Sequence, residues 1–486
     1  MNSSQIKKNA VNATKWASIT ELSAKLVLPI TNMILARILA PEAFGILATV
    51  IIIISFADMF ADAGFQKFLI QYEFPSEENK FQYANVAFWT NFIISMLLWG
   101  IIFSYSEQIA LILGNPELSI VIAVACIQLP ITSFSSIQMA LFRRHFDFKT
   151  LFYVRIVSVI LPFIITIPLA YLGFDYWSLI IGNLVGQLFN ALILTIKSKW
   201  KPRLFYNIKI LKDMLSFSIW SLVEAIFIWL TAWVDVLIIG SLLNSYYMGL
   251  YTTSLNIINS MMALVTSATV PVLFSTLSRL QNNTEQFNKV FFNTQRLVSI
   301  IVLPVGVGIF LFSDLITWIL LGENWSEASQ IIGNWALTSA IMIVFGHYCS
   351  EVYRAKGQPK LSFLAQVLHL IVLVPVCIYS VQFGFWALVF VRSWIRIQFV
   401  LVHFLIMKYA IGIPISKIIR NVIPTIISAS LMGIFGFILK QLNDGLMWQF
   451  LIIFLCCIFY FVILNFLFPK IKTDFLLFIR LFKKTV

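Results

Sequence analysis

The sequence predicts an all-α polytopic membrane protein of about fourteen transmembrane helices, two pseudo-symmetric six-helix lobes plus a C-terminal helix pair. Three observations predict it: composition, the length of the apolar runs, and an internal match at a fixed offset. The 486 residues are 60% hydrophobic and 11% charged, with a mean hydropathy of +0.91. A soluble chain averages about 45–50% apolar and about 25% charged. Crossing about 30 Å of hydrocarbon takes about 20 apolar residues as helix, and the runs here have that length, not the ~10-residue alternation of a barrel.

Polar breaks divide the chain into helices near 16–38, 43–65, 83–105, 118–141, 151–172, 176–196, 214–240, 246–272, 290–312, 328–349, 361–381, 385–407, 419–440 and 447–468. The first of these carries Glu21, Lys25 and Pro29 and lacks a small-residue cleavage pattern, so it is expected to be retained. Cys126, Cys349, Cys377, Cys456 and Cys457 all lie in apolar runs without metal-ligand spacing. They are expected as small core residues, with no metal site.

When the connections are numbered alternately, the basic residues sort to one side, from Lys7, Lys8 and Lys15 to Lys470, Lys472, Arg480, Lys483 and Lys484. The other side holds Arg37 and Lys440 among acids such as Glu107, Asp175 and Asp314. By the positive-inside rule both termini are cytoplasmic. The net charge of +13 is therefore read as topology, and nucleic acid is not an expected partner.

Sliding the seventh helix over the first places Trp16, Leu39, Gly45 and Thr49 on Trp220, Leu243, Gly249 and Thr253 at an offset of 204 residues. Six helices are an even number, so the two copies would run parallel about an axis along the membrane normal. The expected organisation is an N-terminal lobe over 1–196, a basic cytoplasmic connection over 197–213, a C-terminal lobe over 214–407, and a terminal pair with a basic tail over 408–486.

Roughly ten charges lie within the helices. Facing lipid, they would cost on the order of 30 kcal/mol, so they must pair, reach an interface or line a hydrated cavity. Arg155, Arg296 and Glu351 are close enough to cytoplasmic helix ends to snorkel. Lys25 and Glu224 sit near mid-depth, and Glu21 is one turn from Lys25. Two readings stay open for these: a self-neutralising Glu21–Lys25 pair, or charge aimed at a cavity between lobes. Arg392 and Arg396, one turn apart, repel each other unless an anion or an acid lies between them. Asp58 and Asp62 end the second helix on the cytoplasmic side, where the helix dipole disfavours acids. With Lys67, Arg143 and Arg144 on the same side, they are expected to form a charge cluster at an inner gate.

The segments RILAPEAFGILATV, FADAGFQKFLIQ, QMALFRRHFDFK and DVLIIGSLLNSYYMGLY resemble the polysaccharide-transporter branch of the multidrug/oligosaccharidyl-lipid/polysaccharide exporter superfamily, which includes Wzx-type flippases and the colanic-acid and teichuronic-acid exporters. The resemblance implies a V-shaped alternating-access flippase of the bacterial cytoplasmic (inner) membrane. Its cargo would be an undecaprenyl-diphosphate-linked oligosaccharide repeat unit for surface polysaccharide biosynthesis. On that reading Lys25, Arg155 and Arg296 supply cations for a diphosphate, and Asn32, Trp220, Trp229, Trp233 and Tyr251 polar and aromatic walls for sugars. Glu21, Glu224 and Asp235 are the cavity acids, which would carry a proton or sodium ion if transport is coupled. Expected partners are membrane lipid, the lipid-linked oligosaccharide, a polysaccharide polymerase and glycosyltransferases.

The first rival is a cation-coupled multidrug exporter of the same superfamily; a mid-depth Lys25 disfavours its cationic cargo. The second is a membrane polymerase or ligase. It lacks a large outer loop, and the four histidines form no HExxH or nucleophile–base pattern, so no catalytic residue and no cofactor are expected. No GxxxxGK[ST] occurs, and the close glycine pairs Gly182/Gly186 and Gly306/Gly308 are read as helix packing.

Overall fold

The computed structural model describes residues 27, 29–62 and 64–467, apart from the side chains of 216–221, 223, 224 and 268. Thirteen helices among the described residues are long and apolar enough to cross a membrane. They are α1 (Pro41–Asp62), α2 (Glu77–Ser104), α3 (Pro116–Arg144), α4 (Phe148–Tyr171), α5 (Asp175–Lys197), α6 (Ile208–Leu242), α7 (Ser245–Arg279), α8 (Thr284–Leu311), α9 (Ala328–Ala355), α10 (Pro359–Val381), α11 (Phe385–Ile411), α12 (Ile423–Lys440) and α13 (Leu446–Leu467). Each corresponds to one expected span. The expected first span, 16–38, lies largely outside the described residues, which show helix at 27 and over 29–36.

Helix starts follow local chemistry. At α2, α4, α6 and α8 a polar side chain caps the first turn: Ser76 accepts from the Asn79 N–H, Asp147 from Thr150, Asn207 from Lys209 and Asn283 from Gln286. All four caps lie at the ends joined by the basic connections. At the opposite ends Gly114 and Gly173 turn the chain with φ of 76° and 83°, a region that only glycine enters without strain.

The chain forms two compact units, Met1–Thr252 and Thr253–Val486. In the first, α4 packs along α5 because Gly182 and Gly186 leave room: a Cβ on Gly182 would stand 1.9 Å from Thr166 Oγ1, and one on Gly186 2.5 Å from Pro162 Cγ. One core cluster joins α1, α3 and α5 through Val50, Ile54, Ile122, Leu129 and Ile180. A second sits at the basic end and includes Phe65, Phe68, Tyr83, Phe88, Ile137 and Trp200.

The basic connection 197–213 is docked along α2. Trp89 Nε1 donates to the Arg203 carbonyl at 2.8 Å, the Arg203 N–H donates to Asn85 Oδ1 at 3.0 Å, and the Thr90 and Tyr206 hydroxyls meet at 3.1 Å. The boundary between the compact units falls 40 residues beyond its end, inside α7.

In the second unit α8 packs on α9 where a Cβ on Gly306 would meet that of Ala340 at 2.4 Å, whereas the same construction on Gly308 meets nothing within 4 Å. The close-packing reading therefore holds for Gly306 and not for Gly308. Ser299 on α8 shares a 3.0 Å hydrogen bond with Thr425 on α12, and Tyr460 on α13 donates to the Ile300 carbonyl at 2.9 Å. Four cysteines are buried as expected; Cys457 is exposed on α13.

Candidate functional site

A polar cavity of about 510 Å³ opens within the first unit, where hydrocarbon-spanning helices would ordinarily meet through apolar side chains. Asp58 and Asp62 of α1 line it together with Asn91 of α2, Thr132, Ser135, Ser136 and Arg143 of α3, Arg155 of α4, and Gln187 and Asn190 of α5. The pattern comes from serine and threonine in α3: in "QLPITSFSSIQ" each hydroxyl turns back on its own helix, Ser135 donating to the Thr132 carbonyl at 2.9 Å. Their outer lone pairs remain available as acceptors. Thr132 Oγ1 also donates to Asp58 Oδ1 at 3.1 Å, and Asn91 Nδ2 to Ser136 Oγ at 3.3 Å.

Asp62 is set one turn further on. Gln66 and Lys67 approach it from the short helix Phe65–Gln71, yet its Oδ1 is buried with no hydrogen-bond partner among the described residues. A buried acceptor left unmet costs about 1–3 kcal/mol.

Of the expected inner cluster, the structure brings Asp58, Asp62 and Arg143 to one cavity, with Lys67 close to Asp62. Arg144 turns elsewhere. Its Nη1 donates to the carbonyls of Leu69, Ile70 and Tyr72 at 3.0, 3.1 and 2.6 Å, and its guanidinium lies 4.7 Å from the Phe74 ring. It closes the C-terminus of Phe65–Gln71, whose last carbonyls lack intrahelical partners.

Glu21 and Lys25 lie outside the described residues, as do the side chains of Trp220 and Glu224. Asn32 is half-buried on helix 29–36. Arg155 lines the cavity, while Arg296 belongs to the second unit, where its Nη2 donates to Asn293 Oδ1 at 3.2 Å. Asp235 is 1% exposed and accepts from the hydroxyl of fully buried Tyr251 at 2.7 Å. Tyr251 is thus a packing residue with its hydroxyl used within the protein, not a wall for sugars. Trp229 anchors α6 on α1, donating to Ser55 Oγ at 2.9 Å with its ring 4.8 Å from Phe56.

Two arrangements escaped sequence reasoning. Arg392 and Arg396 share the face of Trp335, at 5.1 and 4.0 Å from its centroid, and Arg396 also donates to Ser339 Oγ at 2.6 Å. An aromatic ring lies beside both cations. Lys80, read as an ordinary basic loop residue, is 2% exposed; its Nζ lies 2.5 Å from Glu77 Oε2 and 2.9 Å from His145 Nε2. The Glu77–Lys80 spacing of one turn was the available signal.

With this geometry in place, comparison with known proteins is informative. A family model described as "Polysaccharide biosynthesis protein" matches residues 34–330, well over half of the chain. The teichuronic acid biosynthesis protein TuaB of Bacillus subtilis is 22% identical over 441 residues, covering 89% of each chain. The succinoglycan biosynthesis transport protein ExoT of Rhizobium meliloti is 23% identical over 337 residues, 69% of this chain and 67% of that one. Among solved structures, the lipid II flippase MurJ in an inward closed conformation superposes with a TM-score of 0.77 at 16% identity, covering 94% of this chain and 99% of MurJ. At that identity the likeness shows the fold. Thirteen spans, a polar cavity among them and this match over residues 34–330 lead to one conclusion: the chain belongs to the polysaccharide biosynthesis protein family, within the polysaccharide-transporter branch of the multidrug/oligosaccharidyl-lipid/polysaccharide exporter superfamily.

Proposed function

We propose that this protein is a flippase that moves undecaprenyl-diphosphate-linked oligosaccharide repeat units from the cytoplasmic to the outer leaflet of the bacterial cytoplasmic membrane, by alternating access and without catalysing a reaction. The observation that carries the reading is the cavity: about 510 Å³ whose lining sets carboxylates, guanidiniums, amides and hydroxyls beside Met139, Phe148, Leu151, Val154 and Leu194, inside a unit otherwise built from apolar spans. Sugar hydroxyls are both donors and acceptors, and a wall of this mixed kind satisfies both. A sugar hydroxyl can donate to Asp62 Oδ1, which has no hydrogen-bond partner among the described residues.

In this proposal the basic connections are cytoplasmic, as are both termini. Lys25, Arg155 and Arg296 meet the diphosphate, with Asn32 and Trp220 beside the sugars. Asp58, Asp62, Lys67 and Arg143 form the inner gate, and Glu21, Glu224 and Asp235 are the acids available to a coupling proton or sodium ion. Glycosyltransferases that build the repeat unit and a polymerase that consumes it are the partners this activity requires. The similarity to a teichuronic acid biosynthesis protein and a succinoglycan biosynthesis transport protein supports the cargo class.

Deleting the gene tests the proposal. Surface polysaccharide should be lost while lipid-linked repeat units accumulate on the cytoplasmic leaflet. An unchanged lipid-linked pool accompanied by altered drug tolerance would favour the multidrug-exporter reading instead.

A further inference from the structure

A second cavity, of about 580 Å³, lies at the basic end of the first unit, where α2 and α4 begin and α5 ends. Its position at three helix ends puts it at the level of the membrane–water interface. Its lining includes the apolar side chains of Phe81, Leu141 and Phe142 and the cations Lys197 and Lys199. Trp200 also lines it, 3% exposed, and its Nε1 is a buried donor with no hydrogen-bond partner among the described residues. A Trp N–H in a dry wall ordinarily finds an acceptor, so this one is an unmet requirement in the cavity's own lining.

The acids on the lining are already engaged. Asp147 caps α4, accepting from the Thr150 N–H at 3.1 Å and from its hydroxyl at 2.8 Å. Glu77 pairs with buried Lys80. Because a lysine ammonium only donates, the 2.9 Å contact between Lys80 Nζ and His145 Nε2 makes that ring nitrogen the acceptor and fixes a neutral imidazole protonated on Nδ1. Partial burial first, and the charge of Lys80 second, hold His145 below its ordinary pKa. What remains facing the space is the pair of lysines Lys197 and Lys199, the Trp200 N–H and apolar side chains.

We propose that this cavity binds the phosphate group of a membrane lipid, with Lys197 and Lys199 meeting the phosphate oxygens, the Trp200 N–H donating to one of them, and the first methylenes of the tail lying on Phe81, Leu141 and Phe142. The combination is specific to an amphiphile: cations alone would suit any anion, and the apolar wall alone any acyl chain. Charge-assisted hydrogen bonds to phosphate are about twice as strong as neutral ones, and the interfacial depth keeps water from screening them fully. The site is separate from the transport cavity between α1 and α5 and does not depend on what is transported. The same chemistry is offered by a bulk anionic phospholipid and by an isoprenyl diphosphate, and the experiment separates them.

Full-length protein purified in a neutral detergent is titrated with four probes: dioctanoyl phosphatidylglycerol, farnesyl diphosphate, dioctanoylglycerol, and inorganic phosphate. The proposal expects saturable binding of one or both of the first two, at least about tenfold tighter than the tail without phosphate or the phosphate without tail. Whichever binds more tightly identifies the source. Lys197→Gln combined with Lys199→Gln should weaken that binding by about tenfold or more, and Trp200→Phe by severalfold. Both lysines are exposed, so the double variant reports on binding even if Trp200→Phe unfolds. Equal binding of dioctanoylglycerol, equal binding of free phosphate, or unchanged affinity in the lysine double variant would each overturn the proposal.

Discussion

Gly45 of α1 and Gly249 of α7 meet backbone to backbone, and each is the other's mate in the internal match. A Cβ on Gly45 would lie 1.8 Å from the Ser245 carbonyl oxygen, and one on Gly249 would lie 1.8 Å from that of Pro41. The offset of 204 residues that carries Gly45 onto Gly249 also carries Pro41 onto Ser245. The contact is reciprocal, as an isologous contact between two copies would be. Gly45→Ala or Gly249→Ala therefore forces backbone against backbone. Each should lower stability by about 1–3 kcal/mol or more, seen as a fall in the unfolding midpoint of the purified protein. An alanine at either position with a wild-type midpoint would contradict the packing described.

Arg144 donates to three carbonyls at and just beyond the end of Phe65–Gln71. Arg144→Gln should destabilise the protein by about 1–3 kcal/mol and expose that turn to limited proteolysis. Arg144→Lys should recover only part of the loss, since a lysine lacks the planar fork. Loss of transport in Arg144→Gln without any change in stability would assign the residue to the gate instead.

How far the sequence reaches is clear from these two sites. Span positions were legible because hydropathy is a local property, and all thirteen described spans lie where apolar runs predict them. The Gly45–Gly249 identity was legible too, at a fixed offset, but not the contact between them. Arg144 was not: adjacent to Arg143 in the sequence, it differs in direction because successive helical residues point about 100° apart, and its acceptors lie 72–75 residues away. The partner of Arg392 and Arg396 was hidden for a related reason. Trp335 is one of 14 tryptophans, and nothing local marks it as the ring that the fold brings to those cations.

Trp335 lies beside two guanidiniums that are one helical turn apart. Trp335→Leu should cost about 2–3 kcal/mol, combining lost ring volume with lost cation–π attraction, whereas Trp335→Phe should cost less because an aromatic face survives. Double-mutant cycles with Arg396→Gln measure the coupling directly; additive effects would remove the cation–π account.

Asp58 and Asp62 are predicted to act in transport and not in folding. Asp58→Asn keeps an acceptor for the Thr132 hydroxyl. It should leave the unfolding midpoint within about 0.5 kcal/mol of wild type while removing most of the export of surface polysaccharide. Asp62→Asn should behave the same way. Normal export by the doubly substituted protein would exclude this cavity from the transport path.

The central claim is most directly tested by reconstitution. Purified protein in liposomes loaded with a short-chain lipid-linked oligosaccharide should make the inner-leaflet pool accessible to an external, membrane-impermeant sugar-modifying enzyme. The account predicts that the accessible fraction rises from about half toward completion with wild-type protein and stays near half with the Asp58→Asn, Asp62→Asn variant, a two-leaflet distribution being the starting point. An accessible fraction that remains at half with active, folded wild-type protein, across the imposed proton and sodium gradients, would contradict it.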